Sequence, residues 1–237
     1  MNDSQYGCST QSTQAATNFS IRVTGSGELQ GPWIRHGQLA LVCEGGGQRG
    51  IFTSGILDSF MQHDFFPFRT LIGTSAGAQN LSAYACGAHG YARHAILRYS
   101  THKAFFNPLR FARGGHLIDL DWYFETLQKE APLDLERGRQ RLDGRSLYLC
   151  VSRRDTLKAD YLPFRVDIVR QAIKASSAIP LFYRGGVAVD GVDYVWMEGW
   201  PTHCLWARRM PMAVIALWSF ARCHASPAML YRRCPRV

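Results

Sequence analysis

The sequence predicts an α/β fold with a mostly parallel central sheet and helices on both faces of that sheet. Short apolar runs of strand length alternate with longer segments of helical periodicity. Two of the junctions between a strand and the following helix are glycine motifs, which is typical of ligand sites in such sheets. The hydrophobic fraction of 46% allows a proper core, and 237 residues is a natural length for one domain.

The predicted elements follow one another in strand–helix order along the chain. Continuous apolar runs predict the strands Leu39–Cys43, Thr70–Gly73 and Leu147–Ser152. Apolar residues at helical spacing predict the helices Gly50–Met61, Ala76–Gly87, Tyr91–Tyr99, Leu120–Lys129 and Ile168–Ser176. The valine-rich runs on either side of Asp190-Gly191 predict a hairpin turn at that pair.

The second strand runs into Gly73-Thr74-Ser75-Ala76-Gly77, which has the form of a nucleophile elbow. This turn needs small residues two positions before and after the serine, because larger side chains would collide with the strand and helix that it joins. It projects the serine hydroxyl away from the backbone, at a helix N-terminus whose dipole favours a developing negative charge. We therefore predict that Ser75 is a covalent nucleophile.

The first strand is followed by Glu44 and the glycine-rich loop Gly45-Gly46-Gly47-Gln48-Arg49-Gly50. Three consecutive glycines allow backbone amides to converge on an anion. One candidate is the oxyanion of an acyl-transfer intermediate. The other is a dinucleotide pyrophosphate, for which Asp64 has nearly the right offset but does not end a second strand. The nearby elbow favours the oxyanion hole.

Together these motifs resemble the patatin-like phospholipase family of serine lipid acyl hydrolases, in its bacterial branch. The resemblance runs from about Gln38 to Val195 and includes an Ala-Ser-x-Ala-x-Pro segment at 175–180. It implies a three-layer α/β/α fold, a lipid or ester substrate, and a Ser–Asp dyad without histidine, metal or cofactor. By position, Ser75 is the nucleophile, the Gly45–Gly50 loop holds the oxyanion with Arg49 in support, and the base is the Asp of an Asp-Gly-Gly motif.

The expected Asp-Gly-Gly motif is absent. Val195 is followed by Trp196-Met197-Glu198-Gly199-Trp200, and no Asp occurs after Asp193. Residues 196–237 also hold four of the six Trp, six Arg and no Lys. Dropping the first two bases of the Trp196 codon regroups the next codons as Asp-Gly-Gly when Glu198 is encoded by GAG. We interpret this segment as translated in a shifted frame, through either a real lesion or a sequencing error.

Two acidic residues remain as candidates for the missing base. Glu198 lies closest to the expected position, but its side chain is longer than that of Asp. Asp190 lies in an Asp-Gly pair that is more typical of a turn. We therefore predict a hydrolase of impaired activity, with a catalytically silent protein that binds lipid or a partner as the alternative.

The rest of the sequence limits location and partners. Residues 1–37 are predicted to be a partly ordered leader before a hydrolase domain at 38–195 and an atypical tail at 196–237; the leader lacks the apolar core of a signal peptide. No run reaches the roughly 18 apolar residues that a membrane span needs. Seven cysteines without paired or metal-ligand spacing favour the reducing cytoplasm and imply no metal.

The net charge of +9 does not predict nucleic-acid binding. Residues 1–195 contain 21 basic and 17 acidic residues, so most of the excess comes from the tail. Basic residues lie among aromatic residues at 103–113, where Lys103, Arg110 and Arg113 alternate with phenylalanines. We predict a loop that covers the core there, with a lid or a segment facing a membrane surface as the alternative.

Overall fold

The computed structural model of the chain describes residues 39–195 and the backbone of two short strands at 213–217 and 229–232. The strands are β1 Leu39–Cys43, β2 Thr70–Gly73, β3 Ser146–Arg153, β4 Ala159–Pro163, β5 Val187–Val189, β6 Val192–Val195, β7 Ala213–Leu217 and β8 Met229–Arg232. The helices are α1 Gly50–Gln62, α2 Ala76–Ala85, α3 Tyr91–Arg98, α4 Pro108–Ala112, α5 Leu120–Glu130, α6 Leu135–Arg141 and α7 Val169–Ser177, and a 3₁₀ turn spans Gly47–Arg49.

The centre of the sheet is parallel. β1 pairs with β2 on one edge and with β7 on the other, and β2 pairs with β3, all in parallel. The antiparallel strands β8 and β4 and the β5–β6 hairpin lie around this centre. The predicted α/β class, with a mostly parallel central sheet flanked by helices, is confirmed.

The two edges of β3 determine where the β5–β6 hairpin lies. Ser152 pairs with Ala159 of β4 and with Val195 of β6, so these two strands lie on opposite edges of β3. Leu149 pairs with Leu162 of β4 and with Gly73 of β2. β6 therefore lies on the same edge of β3 as β2, beyond the carboxyl end of β2.

The main core lies between the sheet and the helices that connect its strands. Leu41, Leu71 and Leu149, from three adjacent strands, are fully buried. They form one cluster with Tyr84 of α2 and Val169 of α7, among others. This packing holds the start of α2 against the carboxyl ends of the strands, since α2 follows β2 with only two residues between them.

The predicted strands and helices are all present, and their ends differ by at most two residues. Within 39–195, the elements α4, α6 and β4 were not predicted. Each gives a weak pattern: α4 has five residues, α6 is rich in Arg, and β4 is partly exposed and ends at a proline. The predicted leader at 1–37 and residue Glu198 lie outside the described residues. β7 and β8 come from the segment assigned to the tail, and β7 extends the sheet beside β1.

Candidate active site

Ser75 lies in a sharp turn between β2 and α2, as the sequence predicts for a nucleophile elbow. Its backbone has φ 52 and ψ −119, a conformation that costs a non-glycine residue about 1–3 kcal/mol. Ser75 is 8% exposed and is the N-cap residue of α2. The positive end of the helix dipole therefore lies at the serine.

The two flanking glycines are needed because the backbone is crowded on both sides of the serine. A Cβ at Gly73 would lie 2.7 Å from the backbone of Gly77 and Ala78. A Cβ at Gly77 would lie 2.3 Å from the carbonyl oxygen of Cys43 and 2.5 Å from that of Glu44. The start of α2 thus passes directly over the end of β1, and only glycine fits there.

This close approach brings the glycine-rich loop to the elbow. Gly45 and Gly46 leave β1, the exposed residues Gly47, Gln48 and Arg49 form the 3₁₀ turn, and Gly50 begins α1. The Thr74 amide donates to the Cys43 carbonyl over 3.2 Å. A Cβ at Gly50 would lie 2.8 Å from the Cβ of Ala76. The structure thus places the predicted oxyanion-hole residues directly beside the predicted elbow.

Arg49 stabilises the shape of this loop. Its backbone amide donates to the Gly46 carbonyl over 3.1 Å, and its Nε donates to the same oxygen over 3.5 Å. Gly46 has φ 152 and ψ 11, a backbone conformation that is unfavourable for residues with a side chain. The geometry is compatible with the supporting role that the family resemblance implies for Arg49.

Ser176 supports the elbow from α7, and the sequence alone did not indicate this contact. Its hydroxyl accepts a hydrogen bond from the Ser75 amide over 2.7 Å and donates to the Cys150 carbonyl of β3 over 2.6 Å. Ser176 is fully buried. The only available signal was its place in the Ala-Ser-x-Ala-x-Pro segment, because its partner lies 101 residues away in the chain.

The acidic candidates for a base differ in position. Asp190 has φ 49 and occupies the turn between β5 and β6, as the hairpin prediction requires. Its carboxylate is exposed and accepts a hydrogen bond from Arg165 over 2.8 Å. Glu198 lies outside the described residues. Within residues 39–195, no carboxylate hydrogen-bonds the Ser75 hydroxyl.

Asp64 does not fit the nucleotide alternative. It follows the carboxyl end of α1 and precedes β2, whereas the glycine loop precedes the start of α1. The 13 residues of α1 separate the two sites, and a helix rises about 1.5 Å per residue. Asp64 therefore lies near the amino ends of the strands, whereas the Gly45–Gly50 loop lies at their carboxyl ends.

The cysteines near the elbow are not competing nucleophiles. Burial, followed by the Glu44 carboxylate, raises the pKa of the Cys43 thiol, and burial raises the pKa of the Cys150 thiol to about 12. Both therefore stay protonated near neutral pH, and the thiol is the unreactive form. In the part of the chain that the structure describes, no cluster of three metal-ligating side chains occurs.

The model of the patatin-like phospholipase family matches residues 41–199, which includes both glycine motifs and Ser176. This chain belongs to the patatin-like phospholipase family. The match ends at Gly199, close to where the composition of the chain changes.

A curated relative from Escherichia coli K12, the uncharacterized protein YjjU, is 53% identical to this patatin-like chain over 161 residues. The matched region is 67% of this chain and 45% of the relative, so the chain spans less than half of that protein. Among solved structures, VipD from Legionella pneumophila has a TM-score of 0.47 at 14% identity, covering 68% of this chain and 46% of VipD. ExoU from Pseudomonas aeruginosa, solved with SpcU, has a TM-score of 0.33 at 13% identity, covering 63% and 40% of the two chains.

The close approach at Gly77 predicts a specific stability loss. Gly77→Ala is expected to lower the free energy of unfolding by about 2–3 kcal/mol, because two backbone carbonyls must move to admit a methyl group. Gly55→Ala is the matched control, since a Cβ at that helical site meets nothing within 4 Å. It should raise the free energy of unfolding by about 0.5–1 kcal/mol. Urea denaturation followed by circular dichroism measures both, and equal effects would contradict the assigned crowding.

The Ser176 contact predicts a local effect on the elbow. Ser176→Ala leaves the buried Ser75 amide without its acceptor, which costs about 1–3 kcal/mol of stability. Amide hydrogen exchange at Ser75, followed by NMR, is expected to accelerate. Ser177→Ala is the control, because that hydroxyl only donates to Ile173 of its own helix over 2.9 Å. If both variants leave exchange at Ser75 unchanged, the Ser176 contact does not hold the elbow.

Proposed function

We propose that this chain is built as a serine-dependent lipid acyl ester hydrolase, of the phospholipase A or esterase type, with Ser75 as its nucleophile. The observation that carries the proposal is the strained Ser75 turn held against the Gly45–Gly50 loop by the approach at Gly77. Membership of the patatin-like phospholipase family supports a lipid ester as the substrate class. Activity is impaired in the chain as written, because the expected Asp is missing.

The proposed reaction proceeds in two halves. The Ser75 Oγ attacks the ester carbonyl carbon, its proton passes to a base, and the carbonyl oxygen becomes an oxyanion. Backbone amides of the glycine loop and the N-terminus of α2 stabilise that charge. The intermediate then collapses: the carbon–oxygen bond to the alcohol breaks, the alcohol takes the proton and leaves, and an acyl ester remains on Ser75. In the second half the oxygen of a water molecule bonds the acyl carbon, the bond from that carbon to Ser75 Oγ breaks, one water proton returns to Oγ, and the acid is released.

The direction of β6 supports a base from the residues just after Val195. β6 lies beyond the carboxyl end of β2 and runs antiparallel to β3, so it is directed towards that end. Gly73 is opposite Leu149, and Val195 is opposite Ser152, three residues further along β3. Strand residues rise about 3.3 Å each. β6 therefore ends at Val195 roughly 10 Å along β3 from the end of β2, and the direction of the strand is towards the elbow.

A catalytically silent protein that binds lipid is the second candidate. The absence of Asp from every position after Asp193 favours it. Removing the acidic member of a catalytic unit costs about 10⁴-fold in rate, while oxyanion stabilisation and substrate binding persist. The two candidates therefore share a binding site and differ in turnover.

A fluorophosphonate probe tests the nucleophile directly. We expect slow labelling of the chain, lost in Ser75→Ala and kept in Ser82→Ala, whose hydroxyl lies on the same helix and bonds Ala78. Glu198→Gln tests Glu198 as a substitute base, with Asp190→Asn as its matched control. Labelling that persists in Ser75→Ala would show that another residue reacts. Lipid binding without labelling would support the silent protein.

The reading-frame hypothesis predicts a large gain on repair. Restoring the frame after Val195 returns Asp-Gly-Gly and is expected to raise short-chain ester hydrolysis by about 10³–10⁴-fold. Sequencing the gene across the codons for Tyr194 to Trp200 is the direct check. Independent sequencing reads that support the present frame would contradict the hypothesis, and so would a repaired chain with unchanged activity.

A further inference from the structure

Large exposed apolar side chains are concentrated in two neighbouring segments. Leu109 is 59% exposed and Phe106 50%, both in the segment 103–118, and Leu181 is 78% exposed in the segment 178–184. Phe111 and Phe182 add to the same surface. The segments touch, because the amides of Leu117 and Ile118 both donate to the Phe182 carbonyl, over 2.8 and 3.2 Å. We call this surface the 109–181 face.

The first segment is held in a defined shape by Arg110. Its guanidinium donates to the carbonyls of Ala104, Phe105 and His116 over 2.8–3.1 Å, and it pairs with Asp119 at 3.1 Å. The Arg110 guanidinium is therefore hydrogen-bonded and paired with a carboxylate inside the loop. The neighbouring Leu109 and Phe111 remain exposed although the loop around them is fixed.

The second segment is held equally firmly. The Tyr183 hydroxyl donates to Asp121 of α5 over 2.8 Å, and the same carboxylate pairs with Lys174 of α7. The Tyr183 ring also stacks on His116, with ring centroids 4.5 Å apart. Its neighbour Leu181 has φ 74, so a strained backbone presents a leucine to solvent. The strained backbone conformation of Leu181 costs free energy, and yet its apolar side chain is exposed to solvent. This combination points to a contact with a partner outside the described residues.

The charged residues within the two segments are all cationic. Lys103, Arg113 and Arg184 are exposed, and Arg184 lies 5.8 Å from the centre of the Phe111 ring. Neither 103–118 nor 178–184 contains an Asp or Glu. A depression of ≈ 320 Å³ between Leu109, Arg110 and Arg113 joins apolar and cationic atoms on this surface. An anionic lipid surface matches this combination, since it accepts apolar side chains and attracts the cations.

We propose that the 109–181 face docks the protein on the surface of an anionic lipid bilayer. The face lies close to the candidate nucleophile, because Leu181 follows Ser176 by five residues and Ser176 contacts Ser75. Docking there would bring the elbow to the lipid. The inference extends the proposed hydrolase function by naming how the site reaches its substrate, but binding can be measured without turnover.

Co-sedimentation with vesicles tests the docking. The full chain is expected to bind vesicles of equal parts phosphatidylglycerol and phosphatidylcholine, to bind phosphatidylcholine alone at least about tenfold more weakly, and to lose affinity as salt rises. Reversing two cations, in Arg113→Glu/Arg184→Glu, should lower the partition coefficient by about tenfold or more. Removing two apolar contacts, in Leu109→Ser/Leu181→Ser, should lower it by a similar factor.

Control variants distinguish an effect of the 109–181 face from a general effect of net charge or hydrophobicity. Lys129→Glu changes an exposed cation at the far end of α5, and Leu97→Ser changes an exposed leucine on α3; both should bind as the unchanged chain does. Equal binding by all variants, or no binding to either vesicle, would overturn the proposal. Sedimentation of a dimer that Leu109→Ser/Leu181→Ser dissociates would overturn it in favour of a second copy of the chain. Ser75→Ala should bind normally, so a failed hydrolase proposal and a failed docking proposal give different results.

Discussion

The close contact between the start of α2 and the end of β1 is the constraint on which the candidate site depends. The backbone of Gly77 lies against the carbonyls of Cys43 and Glu44, and no other residue fits there. Because of this contact, two motifs from different βα units become neighbours. The glycine loop supplies amides, the elbow supplies a hydroxyl, and neither has a chemical use alone. Because β1 and β2 are parallel, both motifs lie at the carboxyl ends of the strands.

Ser176 adds a third element to this arrangement. Its hydroxyl links the Ser75 amide to β3, so α7, β3 and the elbow are held through one oxygen atom. The segment that contains Ser176 continues into Leu181 and Tyr183, which belong to the 109–181 face. A short stretch of chain therefore connects the support of the proposed nucleophile with the proposed lipid contact. The Asp121 carboxylate of α5 accepts hydrogen bonds from both Lys174 and Tyr183, and so ties the two ends of that stretch to α5.

Much of the fold could be predicted because its strongest signals are local. The elbow, the glycine loop and the Asp190 turn each depend on a few adjacent residues whose backbone demands are specific. α4 escaped prediction because it has only five residues, and α6 because it is short and rich in Arg. The helical form of both depends on N-caps, at Asn107 and Asp134. The structural role of Arg110 also escaped, because a cation inside a loop and one on a surface look alike in sequence. The Ser176 contact joins distant parts of the chain, which no local pattern reveals.

The pairing of β7 with β1 has a consequence for how the chain behaves when shortened. β7 covers the outer edge of β1 with five residues of backbone, Ala213–Leu217. Backbone pairing of this kind makes little demand on side chains, so an apolar run of suitable length suffices. Cleavage after Val195 would remove this cover and leave Leu39–Cys43 as an open apolar edge. The shortened domain would then pair its open edge with strands of neighbouring molecules, and ordered aggregation would compete with folding during expression.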